Sequence, residues 1–389
     1  MNTEPGYAIV KYRKIVSLLL LCTSLESLLF SQSVKDKLEQ ALHLLPHPQS
    51  VSDFSPIPHL SSMNQDSTLA CWSFATSSFI ESEMKRLGRE PVRLSVMFPV
   101  YYVFVEKARR FVQSHGISRF SPGDLFSGVL DIMQQYGSVP AEAYEGIKSA
   151  QTMYNHNALY AELDSVMNRV KLIGDWKEEP ILAEVTALLN ARLGVPPQKF
   201  SYKGKEYSPK TFAADIVRLP LDKYLMVTSF QSAPFNEFTE LKVPDNWKQN
   251  NRYFNVPLDV FYRSLRDAVM RGFSAAIDMD NSEASYRITK QYAFVPIFEV
   301  PKDSITQRTR ELQFQSGATS DDHLMHLIAY QAWGMQDWFL AKDSWRTAWE
   351  GANHGYFFFH ESYIKLKVLA YLVHREGIPE ITALLPAAP

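Results

Sequence analysis

Asn64-Gln65-Asp66-Ser67-Thr68-Leu69-Ala70-Cys71-Trp72-Ser73-Phe74 decides how this chain is read. A glutamine stands six residues before a Cys-Trp pair, and the pair opens a segment of helical periodicity. Trp72, Ala75, Phe79, Ile80, Met84 and Leu87 recur at three- and four-residue steps and Gly88 closes the run, which predicts a helix starting at Cys71. A helix start gathers unpaired N–H groups and the positive end of the dipole, so it favours a thiolate over a thiol. The sequence has two cysteines, and Cys22 lies in an apolar N-terminal stretch that reads as removable. Cys71 is then left without a thiol to pair with or a multi-cysteine zinc site to join. Taken alone, such a cysteine more often packs as a small buried hydrophobe than reacts. The rest of the chain reverses that reading.

The 389 residues suffice for one large or two ordinary domains. With 46% hydrophobic and 21% charged residues the composition is that of a globular chain, which excludes a disordered one. The net charge is −2 and no basic run stands out, so nucleic-acid binding has no electrostatic support. The N-terminus reads as an export signal. Lys11, Arg13 and Lys14 supply the positive region, Ile15 to Leu25 the apolar run, and Ser31-Gln32-Ser33 the cleavage zone. Glu26 cuts the run too short to span a bilayer comfortably. The expectation is therefore a periplasmic or extracellular protein with no membrane segment after signal removal. Acylation of Cys22 is the weaker reading, because Leu20-Leu21 are poor small-residue neighbours for it.

Further along, Val34 to Leu45 has helical character, and Pro46, Pro48, Pro56 and Pro58 mark a linker. Phe98 to Phe111 and Leu125 to Tyr136 predict two more helices. In the middle, Ala158 to Val170, Pro180 to Leu193 and Pro257 to Gly272 also look helical. The C-terminal part changes character. Leu324 to Tyr330, Trp338 to Lys342 and Tyr356 to His360 are short apolar runs separated by Gly334, Gly351 and Gly355, which predicts an antiparallel sheet. Helices around Cys71 and strands around His323 describe an α+β protein with two unlike halves.

Thiol-based acyl transfer needs a thiolate, a histidine to move its proton, a group to orient that histidine, and donors for the oxyanion. Asp322-His323-Leu324-Met325-His326 puts a histidine at a strand entry, Lys342-Asp343-Ser344-Trp345 follows a second strand, and Gly355-Tyr356 opens a third. Together with Gln65 and Cys71-Trp72 these segments resemble the papain-like cysteine peptidases. The resemblance implies Cys71 as nucleophile, His323 as general base and acid, Gln65 as oxyanion donor, and Asp343 in the place of the orienting asparagine, shielded by Trp345. Trp349 matches a second tryptophan of that loop. Cys71 and His323 are about 250 residues apart, against roughly 130–150 in papain-type chains. The inserted residues, Phe200 to Phe212 and the Val373 to Pro379 segment resemble the bleomycin hydrolase and aminopeptidase C type. The implied fold is two-lobed, a helical lobe with the nucleophile and an antiparallel β lobe with the histidine. The expected organisation is a signal over 1–32, a helix and linker over 33–60, and a peptidase domain over 61–389 with its insertion at about 150–311.

Three positions depart from the family pattern. Asp343 replaces asparagine and would raise the pKa of His323, Arg346 stands where glycine usually follows the tryptophan, and Leu69 replaces a small residue beside the nucleophile. Gly123, Trp72 and Trp345 are expected to line the substrate cleft, Gly123 by pairing with substrate backbone. His326, an odd offset from His323, should face the opposite side of its strand and serve as a core histidine. Asp278-Met279-Asp280 reads as an exposed turn rather than a metal site. No cofactor or metal is expected. The expected partner is a peptide substrate, with homo-oligomerisation left open. The implied activity is peptide hydrolysis through an acyl-enzyme, as an aminopeptidase or other exopeptidase. A peptide-binding homologue without activity and a Cys-His acyltransferase are the alternatives.

Overall fold

A computed structural model describes residues 32–147, 153–289 and 291–386 of the chain. The N-terminal stretch expected to direct export, with Lys11 and Cys22, lies outside the described residues, and among those residues no helix is long and apolar enough to cross a membrane. The first helix, α1, covers 32–44. The apolar recurrence after Cys71 winds α2 (Cys71–Arg86), with Phe79, Ile80 and Met84 fully buried. Each such side chain contributes about 1.5–3 kcal/mol by leaving water. Lys85 and Arg86 sit against the negative end of the dipole, and Gly88 turns the chain away at a left-handed φ of 73°.

Two helices pack on α2 from the same lobe, α3 (Met97–Gln113) and α4 (Phe126–Tyr136). The middle of the chain adds α5 (Asn157–Ile173) and α6 (Glu178–Leu193), which extend this core. Glu178 and Glu179 favour the start of α6, and the Tyr101 hydroxyl of α3 donates to Asn190 Oδ1 of α6 at 2.8 Å. The hairpin β1 (Phe200–Tyr202) and β2 (Lys205–Tyr207) turns through Lys203 and Gly204, both at positive φ, and leads into the one-turn α7 (Pro209–Phe212). The backbone of α7 lies against Gly137 at the end of α4, where a Cβ would come within 2.3 Å of the Pro209 carbonyl.

The other lobe is a nine-stranded sheet. Its strands are β3 (Tyr224–Thr228), β4 (Glu237–Thr239), β5 (Tyr253–Asn255), β6 (Ala275–Met279), β7 (Tyr292–Ala293), β8 (His323–Trp333), β9 (Gln336–Lys342), β10 (Tyr356–His360) and β11 (Val368–His374). Their order is β4-β5-β3-β11-β6-β8-β9-β10-β7. The expected strands β8, β9 and β10 pair antiparallel as the sequence suggested, whereas β3 pairs with β5 and β10 pairs with β7 in parallel. Chain length explains the difference: the connections from β3 to β5 and from β7 to β10 are long enough to return to the same end. Three helices accompany the sheet, α8 (Leu258–Met270), α9 (Ala284–Thr289) and α10 (Gln307–Gln315), and α11 (Glu361–Lys367) runs straight into β11.

Strand β11 shows how the sheet divides two cores. Leu372 packs into the helical core, while Tyr371 and Val373 pack into the core beneath α8 and α11. This is the period of two expected of a strand. A bulge between Val368 and Ala370 interrupts it, and Leu369 and Ala370 then face the helical side together. The helical side of the sheet rests on α2, so the start of α2 is brought to the start of β8.

Candidate active site

Cys71 is the first residue of α2 and is partly exposed. His323 is the first residue of β8 and is buried, 1% exposed. The two side chains meet across the lobes, and the imidazole has side-chain hydrogen bonds to Cys71 and to Asp343. The Asp343 bond is 2.7 Å, from His323 Nε2 to Oδ1. That bond leaves Nδ1 as the ring nitrogen for the thiol. Burial alone would favour a neutral ring. The charges of Asp343 and Cys71, and the hydrogen bonds to both, override it and raise the His323 pKa to about 10. The imidazolium is therefore the resting form at neutral pH.

Asp343 directly follows β9 and is 2% exposed. Its Oδ1 also accepts the Trp345 N–H at 2.8 Å, and its Oδ2 accepts the Tyr286 hydroxyl of α9 at 2.8 Å. Tyr286 carries no motif, and nothing in the sequence ties it to this site. The Trp345 ring stands edge-on to His323, with ring centres 6.1 Å apart. Arg346 does not crowd the cleft: it is exposed and pairs with Glu350 at 3.0 Å.

Gln65 is fully buried. Its N–H donates to the Ser344 carbonyl at 2.9 Å, and the Ser344 hydroxyl donates to Gln65 Oε1 at 2.6 Å. Oε1 is thereby identified as the acceptor, and Nε2 keeps one hydrogen on the Thr68 carbonyl at 2.7 Å and one for another acceptor. Ser344 thus holds the glutamine in register with the Asp343 loop. Its place in Asp343-Ser344-Trp345 was visible in the sequence; its role was not.

Two cleft expectations need correction. Trp72 is fully buried and its indole N–H donates to the Pro122 carbonyl at 3.0 Å, so it braces the wall of the cleft from behind and touches no substrate. Gly123 follows Pro122, but its carbonyl already accepts from Lys107 Nζ. A Cβ on Gly123 would come within 1.9 Å of Asp245 Oδ2, so that carboxylate lies directly on the glycine. The Gly123 carbonyl is thus already engaged by a lysine, which weakens the expected pairing with substrate backbone. A third expectation also fails. Asp278 and Asp280 are not on an exposed turn; both are 0% exposed, and Asp278 belongs to β6.

His326 faces the helical lobe as its odd offset predicts. It is fully buried, and its Nδ1 lies 2.8 Å from Ser78 Oγ of α2. Lys342 Nζ donates to the same hydroxyl at 2.6 Å. Burial, with the Lys342 charge, keeps His326 neutral, well below the ordinary histidine range. Among the described residues no His, Cys, Asp and Glu group is arranged to hold a metal ion.

The profile of the peptidase C1-like family matches residues 120–385, a stretch that includes His323 and Asp343 and begins after Cys71. Aminopeptidase C of Listeria monocytogenes serovar 1/2a is 25% identical over 265 residues, 58% of this chain and 60% of that protein. Aminopeptidase C of Lactococcus lactis subsp. lactis is 22% identical over 259 residues, 58% of this chain and 59% of that protein. These matches thus span about three fifths of the relatives' length. Among solved structures, PepW from Lactobacillus rhamnosis HN001 superposes with a TM-score of 0.72 at 16% identity, covering 98% of this chain and 95% of that one. That likeness is one of fold.

Proposed function

The chain belongs to the peptidase C1-like family, and from that premise we propose that it hydrolyses peptides through an acyl-enzyme on Cys71. The Cys71 sulfur attacks the scissile carbonyl and forms a C–S bond. The carbonyl oxygen takes the negative charge, with the free Gln65 amide hydrogen and the Cys71 N–H as donors. The tetrahedral adduct collapses, the C–N bond breaks, and the His323 imidazolium gives its proton to the leaving amine. The neutral ring then takes a proton from water, whose oxygen attacks the thioester. The carboxylic acid leaves, and the thiolate–imidazolium pair returns. Asp343 keeps the ring turned so that one nitrogen faces the sulfur throughout.

The observation that carries this reading is the line from the partly exposed Cys71 through the buried His323 to the buried Asp343, assembled from two lobes. Action at a chain end, as an aminopeptidase or other exopeptidase, is the finer part of the proposal. The relatives' names support it. An epoxide peptide probe should label Cys71 selectively in the wild type, and labelling should collapse in His323→Ala. Cys71→Ala should hydrolyse no aminoacyl or peptidyl coumarin amide. Hydrolysis that survives in purified Cys71→Ala would overturn the mechanism.

A further inference from the structure

The turn that carries Gln65 is fastened by residues 154–160, at the start of the stretch expected to be inserted. The Ser67 N–H donates to the Tyr154 carbonyl at 3.0 Å, and the His156 N–H donates to the Ser67 carbonyl at 3.3 Å. Between these bonds Ser67 and Asn155 form a parallel bridge. The Tyr154 N–H donates to Asp66 Oδ2 at 3.1 Å. Asp66 has a left-handed φ of 48°, which a residue with a Cβ keeps only where its surroundings fix it. The bond to Tyr154 is part of that fixing.

Side chains add a second set of bonds. Thr68 is fully buried. Its hydroxyl lies 2.7 Å from the hydroxyl of Tyr160, in the first turn of α5, and 3.0 Å from His156 Nδ1. Burial lowers the His156 pKa to about 4, so the ring is neutral and carries one hydrogen. The ring also has a backbone hydrogen bond to Gly146. A carbonyl only accepts, so the nitrogen that faces it carries the hydrogen, and Nδ1 accepts from Thr68. The Thr68 oxygen then accepts from Tyr160. Burial raises the Tyr160 pKa to about 12, which keeps that donor protonated. Each hydrogen in the chain has its acceptor.

Thr68 is where this chain meets the reaction. Its carbonyl takes one hydrogen of Gln65 Nε2 at 2.7 Å, and its N–H donates to the Gln65 carbonyl at 3.1 Å. The direction of the second Gln65 amide hydrogen therefore follows from where the Thr68 peptide stands. The residues on either side give that peptide little support, because Ser67 and Leu69 are exposed. The buried Thr68 side chain, held by α5 and His156, is its anchor. Ser344 fixes Gln65 Oε1 from the β lobe, so the carboxamide is held at both ends. Tyr160 also stands near enough to Cys71 for the sulfur's charge to act on its phenol.

We propose that Tyr160 and His156, acting through Thr68, are positioning residues for the oxyanion donor Gln65, so that residues 154–160 complete the site around Cys71. This inference rests on the acyl-enzyme reading of Cys71 and deepens it. It assigns the setting of Gln65 to a stretch of chain outside the Gln65, Cys71, His323 and Asp343 segments. Neither residue touches the reacting atoms. Their work is to keep one amide hydrogen aimed at an oxygen that becomes negative only in the transition state, so it belongs to kcat rather than to KM.

Tyr160→Phe and Thr68→Val each remove one hydroxyl and change little else. On an aminoacyl or peptidyl coumarin amide each should lower kcat at least about fivefold with KM within about twofold, short of the roughly 100–1000-fold that follows loss of an oxyanion donor outright. Thr68→Ser keeps the hydroxyl and should hold kcat within about twofold of the wild type. In a Gln65→Ala background Tyr160→Phe should lower kcat no further, because the group it positions is gone. A general loosening of the fold would lower kcat equally in both backgrounds. Cys71-dependent turnover with kcat unmoved by Tyr160→Phe and Thr68→Val, or lowered equally with and without Gln65, overturns the positioning role and leaves the peptidase reading standing. If the wild type turns over no substrate and Cys71 resists the epoxide, the peptidase reading fails. Amide hydrogen exchange then decides the fastening alone: faster exchange at Ser67 and Thr68 in Tyr160→Phe supports it, and unchanged exchange overturns it. Circular dichroism of each variant checks the fold.

Discussion

A carboxylate at position 343 accepts three hydrogen bonds, from His323, from the Trp345 N–H and from Tyr286. All three donors point inward, so the site is built for a negative charge rather than for an amide. An asparagine would turn its NH2 toward the Tyr286 hydroxyl, which would have to rotate and accept. The charge also sets the histidine. The folded ring keeps its proton to about pH 10 against an ordinary value of 6.5, so between these the native protein binds one proton more than the unfolded chain. The stability this contributes is complete below about pH 6.5 and is lost as pH rises to about 10. The imidazolium is lost over the same upper limb. Asp343→Asn removes the largest favourable influence on the imidazolium, so the alkaline limb of kcat/KM should move to lower pH than in the wild type. A pH–rate profile of both proteins measures it. An unmoved limb would mean that the carboxylate does not govern His323. Tyr286 was illegible in the sequence because it acts through a partner, Asp343, that folding alone brings near.

At the scale of elements, α2 and β8 are joined by a polar contact inside an apolar interface. Lys342 is 5% exposed and donates to the Leu60 carbonyl and to Ser78, which also meets His326. Burial lowers the Lys342 pKa to about 8, with Glu81 acting the other way. Lys342→Met would leave the Leu60 carbonyl without this donor and Glu81 with one fewer positive neighbour. A loss of about 2–4 kcal/mol is expected from the abandoned buried groups, read from urea unfolding. A loss below about 0.5 kcal/mol would show that the lysine is dispensable there. The helices α2, α3 and α4 were legible to within a residue or two, because each carries an apolar stripe with a clear end. Strands β8, β9 and β10 were legible because glycines separate them. Strand β11 was not recognised. Its apolar run follows α11 with no turn residue between, so the periodicity never breaks where the helix becomes a strand. Asp278 was misplaced because aspartate is poor in strands, and only tertiary packing puts it in one. The segments that bring Cys71, His323 and Asp343 together were legible because their residue types and order are specific, while Ser344 stood in plain view without a role until Gln65 was seen beside it.

Across the whole molecule, the sheet keeps two cores apart and Arg310 ties distant parts of it together. This arginine is 1% exposed, donates to the carbonyls of Ser229, Lys365 and Leu369, and lies over the rings of Phe230 and Phe261 at 4.8 and 4.9 Å. Arg310→Met fills similar space but strands three carbonyls, so the urea midpoint should fall, with a loss of about 3–5 kcal/mol. An unchanged midpoint would show that water serves those carbonyls equally well. The position of β11 has a further consequence, which concerns time. Among the described residues it is the last strand in sequence, yet it lies inside the sheet, between β3 and β6. Ribosomal synthesis runs at about 5–20 residues per second, so Cys71 leads the end of β11 by roughly 15–60 s. Once made, β3 and β6 lack the partner that joins them until β11 follows, and the histidine has no finished sheet to stand on. A chain made only part-way to β11 therefore carries Cys71 without its finished surroundings, and the order of the strands works as a delay in completing the site.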